Sequence, residues 1–206
     1  MLNAKKDIIL LLILNLSIYG CSSSKESLQS PVNIYVSSRI KNNDTIIIIA
    51  NKINNNYAIE LFKTRSLIPV TANTLENSIL LEDPKFNEKY WSVMAKKYHN
   101  DKTNEIWLKN DFWNQNDFKN VKIKFIKEVD FLKPWIYDEY MTEKKAEVIV
   151  FAFSNPIFYE NGGYAIFAKS ETTTKKQFNE PTCIVIMKME NKKRKFVQEI
   201  NDGNYY

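Results

Sequence analysis

The chain has one histidine, His99, and two cysteines, Cys21 and Cys183. An imidazole titrates near neutrality and acts as a general base when a nucleophile or a metal stands beside it. In "YHND" (98–101) no serine, second histidine or cysteine lies at a spacing that builds a triad or a zinc site. His99 is therefore expected to cap the end of a helix, where positive charge is favoured. The rival reading is a hydrolase in which His99 and nearby carboxylates converge. Asp101, Glu105, Asp111, Asn114, Asn116 and Asp117 are oxygen donors of the kind that hold calcium. The EF-hand order and its turn glycine are missing, however, and no metal is expected. Asp138 and Glu139 in "YDEY" (137–140) are adjacent, so in an extended segment they point opposite ways and form no acid–base pair.

A second kind of chemistry is stacking. Trp107, Phe112, Trp113 and Phe118 lie close together, interleaved with Asn and Asp. An indole face beside amide and carboxylate groups can stack on the apolar face of a sugar while the polar groups take its hydroxyls. Trp107, Trp113, Asp111 and Asn114 are the residues such a site would use. The competing expectation is that these rings pack in the core against a sheet. Cys183, in the apolar run "TCIVIMKM", is expected to be a small buried hydrophobe.

Glycine sets the firmest exclusion. Only Gly20, Gly162, Gly163 and Gly203 occur, and loops that cradle phosphate need several glycines for close backbone approach. No Walker loop, dinucleotide fingerprint or nucleophile elbow can be written, so no nucleotide and no cofactor is expected. The formal net charge of +5 is too mild to argue for nucleic acid. The densest basic run, Lys192 to Lys195, falls at an expected hairpin turn, where charge is normally solvated. No catalytic residue is assigned, and the chain is read as a non-enzyme.

The N-terminus is ordered as charge, oil and small residues: Lys5 and Lys6, then "IILLLILNLSI" (8–18), then Tyr19, Gly20 and Cys21. A membrane span needs about 20 apolar residues, and this run is far shorter, as in a secretory signal peptide. "LSIYGC" (16–21) resembles a bacterial lipobox, with Ile18, Gly20 and the cysteine in place, and Tyr19 where a smaller residue is usual. The resemblance implies cleavage after Gly20 and a diacylglycerol on the Cys21 thiol. Each buried methylene of such a chain adds about 0.8 kcal/mol of membrane affinity. "SSSKESLQS" (22–30) then reads as a flexible tether. With Cys21 lipidated, Cys183 has no partner for a disulfide. The expected organisation is a signal peptide over 1–20, a lipidated tether over 21–30 and one α+β domain over 31–206.

The elements that would carry these residues can be outlined. "VNIYV" (32–36) alternates as a half-buried strand, "TIIIIA" (45–50) suits a strand covered on both faces, and "YAIELF" (57–62) reads as a third. The asparagines at 51 and 54–56 suit a turn joining them in a hairpin or meander. Asn73 and Glu76 have capping-box spacing for a short helix through Leu80. Asp83-Pro84 marks a helix start, with Phe86, Tyr90, Met94 and Tyr98 forming a buried stripe beside Val93. "VKIKFI" (121–126) alternates, and "AEVIVFAF" (146–153) suits a central strand. Asn161-Gly162-Gly163 makes a turn, and strands at 164–169, 183–189 and 195–200 complete an antiparallel meander.

"FSNPIFYENGGYAIFAKSE" followed by "IVIMKMENKKRKFVQEI" resembles the C-terminal part of small lipoproteins of flavobacteria and their relatives. Ser154, Pro156, Ile157, the strand at 164–169 and Phe196 carry the likeness. It implies a location and a style of fold and brings no catalytic residue. The expected function is that of a lipid-anchored protein of the cell envelope, held to the membrane through Cys21, that binds a protein or glycan partner. An inhibitor or immunity-type lipoprotein and an extracytoplasmic hydrolase are the alternatives.

Overall fold

The computed structural model describes residues 29–40, 46–67, 83–131, 148–174, 181 and 183–202. The signal segment, Cys21, the capping box at Asn73 and the carboxylates at 138–139 lie outside the described residues. Within them the elements are α1 (Pro31–Arg39), β1 (Ile46–Ile49), β2 (Asn51–Ile53), α2 (Asn55–Leu67), α3 (Glu88–Tyr98) and β3 (Trp107–Phe112). After these come β4 (Ile123–Ile126), a one-turn α4 (Glu128–Phe131), β5 (Ile149–Phe153), β6 (Ile157–Tyr159), β7 (Tyr164–Thr173), β8 (Cys183–Glu190) and β9 (Lys193–Asn201). The fold is α+β.

Seven strands form one mixed sheet in the order β4-β1-β5-β7-β8-β9, with β6 also paired to β7. β1 runs parallel to β4 and β5, whereas the pairs β5–β7, β7–β8 and β8–β9 are antiparallel. The expected C-terminal meander is present, with turns at Glu160–Gly162 and at Asn191-Lys192. Asn161, Asn191 and Lys192 take positive φ, as does Gly162 at 87°. A separate antiparallel pair joins β2 to β3.

Alternation along the strands divides the core into two faces. One face collects Ile47, Ile49, Val150, Ala152, Ile166, Ile184 and Ile186, covered by Ala58, Ile59 and Phe62 of α2 and Met94 of α3. The other collects Ile46, Ile48, Phe151, Phe153, Phe167, Val185 and Met187, covered by Val32, Tyr35 and Val36 of α1 with Trp113 and Phe118. The all-isoleucine β1 is buried on both faces, as its sequence requires.

The N-terminal third differs from the expected meander. "VNIYV" is helical: Pro31 occupies the first turn, where its missing N–H costs nothing, and Val32, Tyr35 and Val36 fall at i, i+3 and i+4 on the buried side. "YAIELF" is helical too, burying Ala58, Ile59, Leu61 and Phe62. The asparagines ahead of it hold the start of α2 in place. Asn54 accepts from Asn56 N at 3.2 Å and donates to the carbonyls of Thr103 and Glu105. Asp83-Pro84 does not open α3; Asn87 does, accepting from the N–H groups of Lys89 and Tyr90. Val93, beside that stripe, is 63% exposed.

Ser154 explains the Ser-x-Pro signal. Between β5 and β6 the ladder to β7 is interrupted, and the buried Ser154 hydroxyl accepts from Ala168 N at 2.9 Å. Its own backbone N–H donates to Ala168 O. A side chain thus completes the pairing where the backbone turns away.

Candidate functional site

The sequence-derived candidates disperse. His99 ends α3: its N–H donates to Ala95 O, and Nδ1 lies 2.7 Å from Asp101 Oδ1. Glu105 pairs with Lys109, and Asp117 accepts from Asn114 N. Among the described residues no group of three or more His, Cys, Asp or Glu side chains is placed to hold a metal ion. Trp113 is turned into the core at 5% exposure, its indole N–H donating to Phe153 O at 3.1 Å. Phe118 packs edge-on against it and the Lys52 ammonium lies 4.6 Å from its ring, which corrects the expectation of an open stacking face there. Trp107 is half-buried against the first core face. Asp111 pairs with Lys52 and accepts from Asn155, and Asn114 caps the turn at Gln115–Asp117.

Two other assemblies gather polar chemistry. The first is a buried ion network under α1. Lys169, on β7, is 4% exposed, and its Nζ donates to Glu199 Oε2 at 2.6 Å, Glu171 Oε2 at 2.9 Å and the Tyr35 hydroxyl at 3.1 Å. Tyr35 donates in turn to Glu199 Oε1 at 2.6 Å, and Arg39 closes on the same oxygen. Burial opposes the charge on Lys169, but the groups packed around its ammonium, Cys183, Glu199, Tyr35 and Glu171, outweigh it and hold its pKa above the ordinary lysine value. Burial would likewise raise Glu199. Hydrogen bonds from Lys169 and Tyr35, with the charges of Lys169 and Arg39, bring its carboxyl below the usual range. A catalytic lysine needs a neutral, reachable amine. This one is charged and enclosed, and its task is to fasten α1 to the sheet.

Cys183 lies opposite Lys169 in the β7–β8 register. It is buried as expected, its thiol donating to Lys169 O at 3.6 Å and pushed by burial up to about 12. Thiolate chemistry is closed to it.

The second assembly is a groove of about 530 Å³ between α3 and the β6–β7 turn. Tyr90, Met94 and Tyr98 make its floor, Lys89, Val93 and Lys97 one rim, and Phe158, Glu160, Asn161 and Gly162 the other. Its walls are fixed from behind. Tyr159 OH accepts from Asn87 N at 2.8 Å and donates to Lys85 O, tying β6 to the start of α3. Arg194 donates to the carbonyls of Gly162 and Gly163 at 2.7 and 3.1 Å and lies 5.4 Å from the Phe158 ring. The volume is in the range of ligand sites, and three aromatic rings with a few polar groups are what such sites use.

Sequence reading missed the groove because its two walls come from segments far apart in the chain. Two signals were present: the aromatic spacing of α3 and Phe158 in "PIFYENGG". Comparison with known proteins finds no matching family model, no matching curated protein and no matching solved structure.

Proposed function

We propose that this chain is an envelope lipoprotein, anchored through Cys21, whose folded part binds a partner in the groove between α3 and the β6–β7 turn and performs no catalysis. The observation that carries the reading is the groove itself. It is the place among the described residues where an exposed valine, exposed phenylalanine and aromatic floor meet under unpaired lysines. The groups best suited to chemistry are each committed elsewhere: Cys183 to the core, Lys169 to carboxylates, His99 to a helix end beside Asp101.

Two measurements test this. Radiolabelled palmitate supplied to cells making the protein is expected to enter the wild type and not Cys21→Ser; an unlabelled wild type removes the anchor. Hydrogen exchange of the full chain, with and without an extract of its own envelope, is expected to slow amides in Glu88–Tyr98 and Ile157–Gly163. Exchange that slows elsewhere, or nowhere, removes the groove as the binding surface.

A further inference from the structure

We infer that the groove's partner is an extended acidic segment of another protein, with two carboxylates flanking an aliphatic side chain. The inference rests on the groove being the binding surface and adds the chemistry of what fills it. Lys89, Val93 and Lys97 are spaced i, i+4, i+8, so they line up on one side of α3 over two turns, about 12 Å from end to end. All three are exposed, Val93 by 63%.

The two ammonium groups bracket the valine. Lys188 is paired with Asp83 at 2.7 Å and Lys195 with Glu190 at 2.8 Å, whereas along α3 Lys89, Lys96 and Lys97 form no ion pair among the described residues. Among the described residues neither Lys89 nor Lys97 meets a carboxylate; Lys97 rests over the Tyr98 ring at 4.9 Å. Across the groove Glu160 is the one acid, and the guanidinium of Arg194 stands behind Phe158. The rim is therefore cationic at both ends and aliphatic in the middle.

An extended peptide matches that pattern. Residues i, i+2 and i+4 of a strand share one face at about 3.3 Å per residue, so the first and fifth lie about 13 Å apart. A Glu-x-Leu-x-Glu segment would set a carboxylate on each lysine and its leucine on Val93 and the Tyr98–Phe158 pair, whose rings are 6.4 Å apart. An acidic sugar chain would supply the carboxylates, but it has no aliphatic side chain to cover Val93.

The test is a titration of the full-length protein in detergent, followed by backbone NMR shifts. Its probes are a Gly-Glu-Ser-Leu-Ser-Glu-Gly peptide, the same peptide with Lys for Glu, the same with Ser for Leu, and tetragalacturonate. The Glu/Leu peptide is expected to shift the amides of α3 and Phe158–Gly162. Removing either the charges or the leucine should weaken it, and added salt should weaken it too. The double variant K89E/K97E is expected to lose about tenfold or more in affinity, while K122E/K127E, outside the groove, binds as the wild type does. Unchanged melting temperatures for both variants show that the fold is intact. The inference is overturned if no probe binds, if the Lys peptide binds equally, or if K89E/K97E is unaffected. It is also overturned if tetragalacturonate shifts those amides and the peptide does not. Protection of the groove by envelope extract, together with a silent peptide, would reject this partner chemistry and keep the groove.

Discussion

Lys169 on one face of the sheet and Lys89 and Lys97 beside the other show two uses of one side chain. Lys169 is enclosed by two carboxylates and a phenol, and its charge is neutralised within the molecule. Lys89 and Lys97 stand in solvent beside an uncovered valine. A buried charge with complete partners tells how the chain holds itself together, because an unpaired one there would cost several kcal/mol. An exposed charge needs no partner but water, and Lys97 gains only the modest favour of the last turn of α3 and of the Tyr98 ring beside it. The contrast separates scaffold from surface without reference to which residue type is more reactive.

Substitutions can break or sharpen that contrast. The largest effect is expected on the enclosed face: Trp113→Ala should cost about 3–5 kcal/mol in a urea melt, since it empties a core site and removes the indole hydrogen bond to Phe153 O. A cost under 1 kcal/mol would reopen the indole as a binding face. Glu199→Ala should follow at about 2–4 kcal/mol, reduced by partial exposure of Glu199 and by the remaining Glu171 contact.

Acid should act on the same network. The folded Glu199 pKa lies below its ordinary 4.5, so on acidification the unfolded chain takes up the proton first. Its stabilisation is complete above the ordinary glutamate value and is lost as pH falls through the depressed one. Melts across that window should lose this dependence in Glu199→Gln.

Tyr159→Phe removes the hydroxyl that joins β6 to α3 and should cost about 1 kcal/mol while loosening the groove. Smallest of all, Val93→Ser and Lys89→Glu should change stability by about 0.5 kcal/mol or less, and be felt only in binding. A large destabilisation by either would place that rim in the scaffold.

Legibility in the sequence followed the range of the determining contacts. β8 and β9 are joined by the two-residue turn Asn191-Lys192, and Asn161-Gly162-Gly163 advertises the backbone it needs between β6 and β7, so the meander and these turns could be read directly. "VNIYV" and "YAIELF" could not, because their apolar positions fit both periods. Each segment lies on one face of the sheet, where a helical stripe is what it buries: Val32, Tyr35 and Val36 on one side, Ala58, Ile59 and Phe62 on the other. Cys183 was readable as core from its neighbours alone. Lys169 was not, since "FAKSE" gives no hint that Glu199 and Tyr35 arrive from opposite ends of the chain.

The placement of β1 bears on how the molecule is made. Four successive isoleucines leave the ribosome early, and the strands that flank them, Ile123–Ile126 and Ile149–Phe153, are synthesised much later. Such distant pairing is slow, and an apolar, β-branched segment awaiting it is prone to aggregate. Biogenesis of this chain should therefore depend on a holding chaperone, and conditions that deplete one should lower its yield before they affect the finished protein.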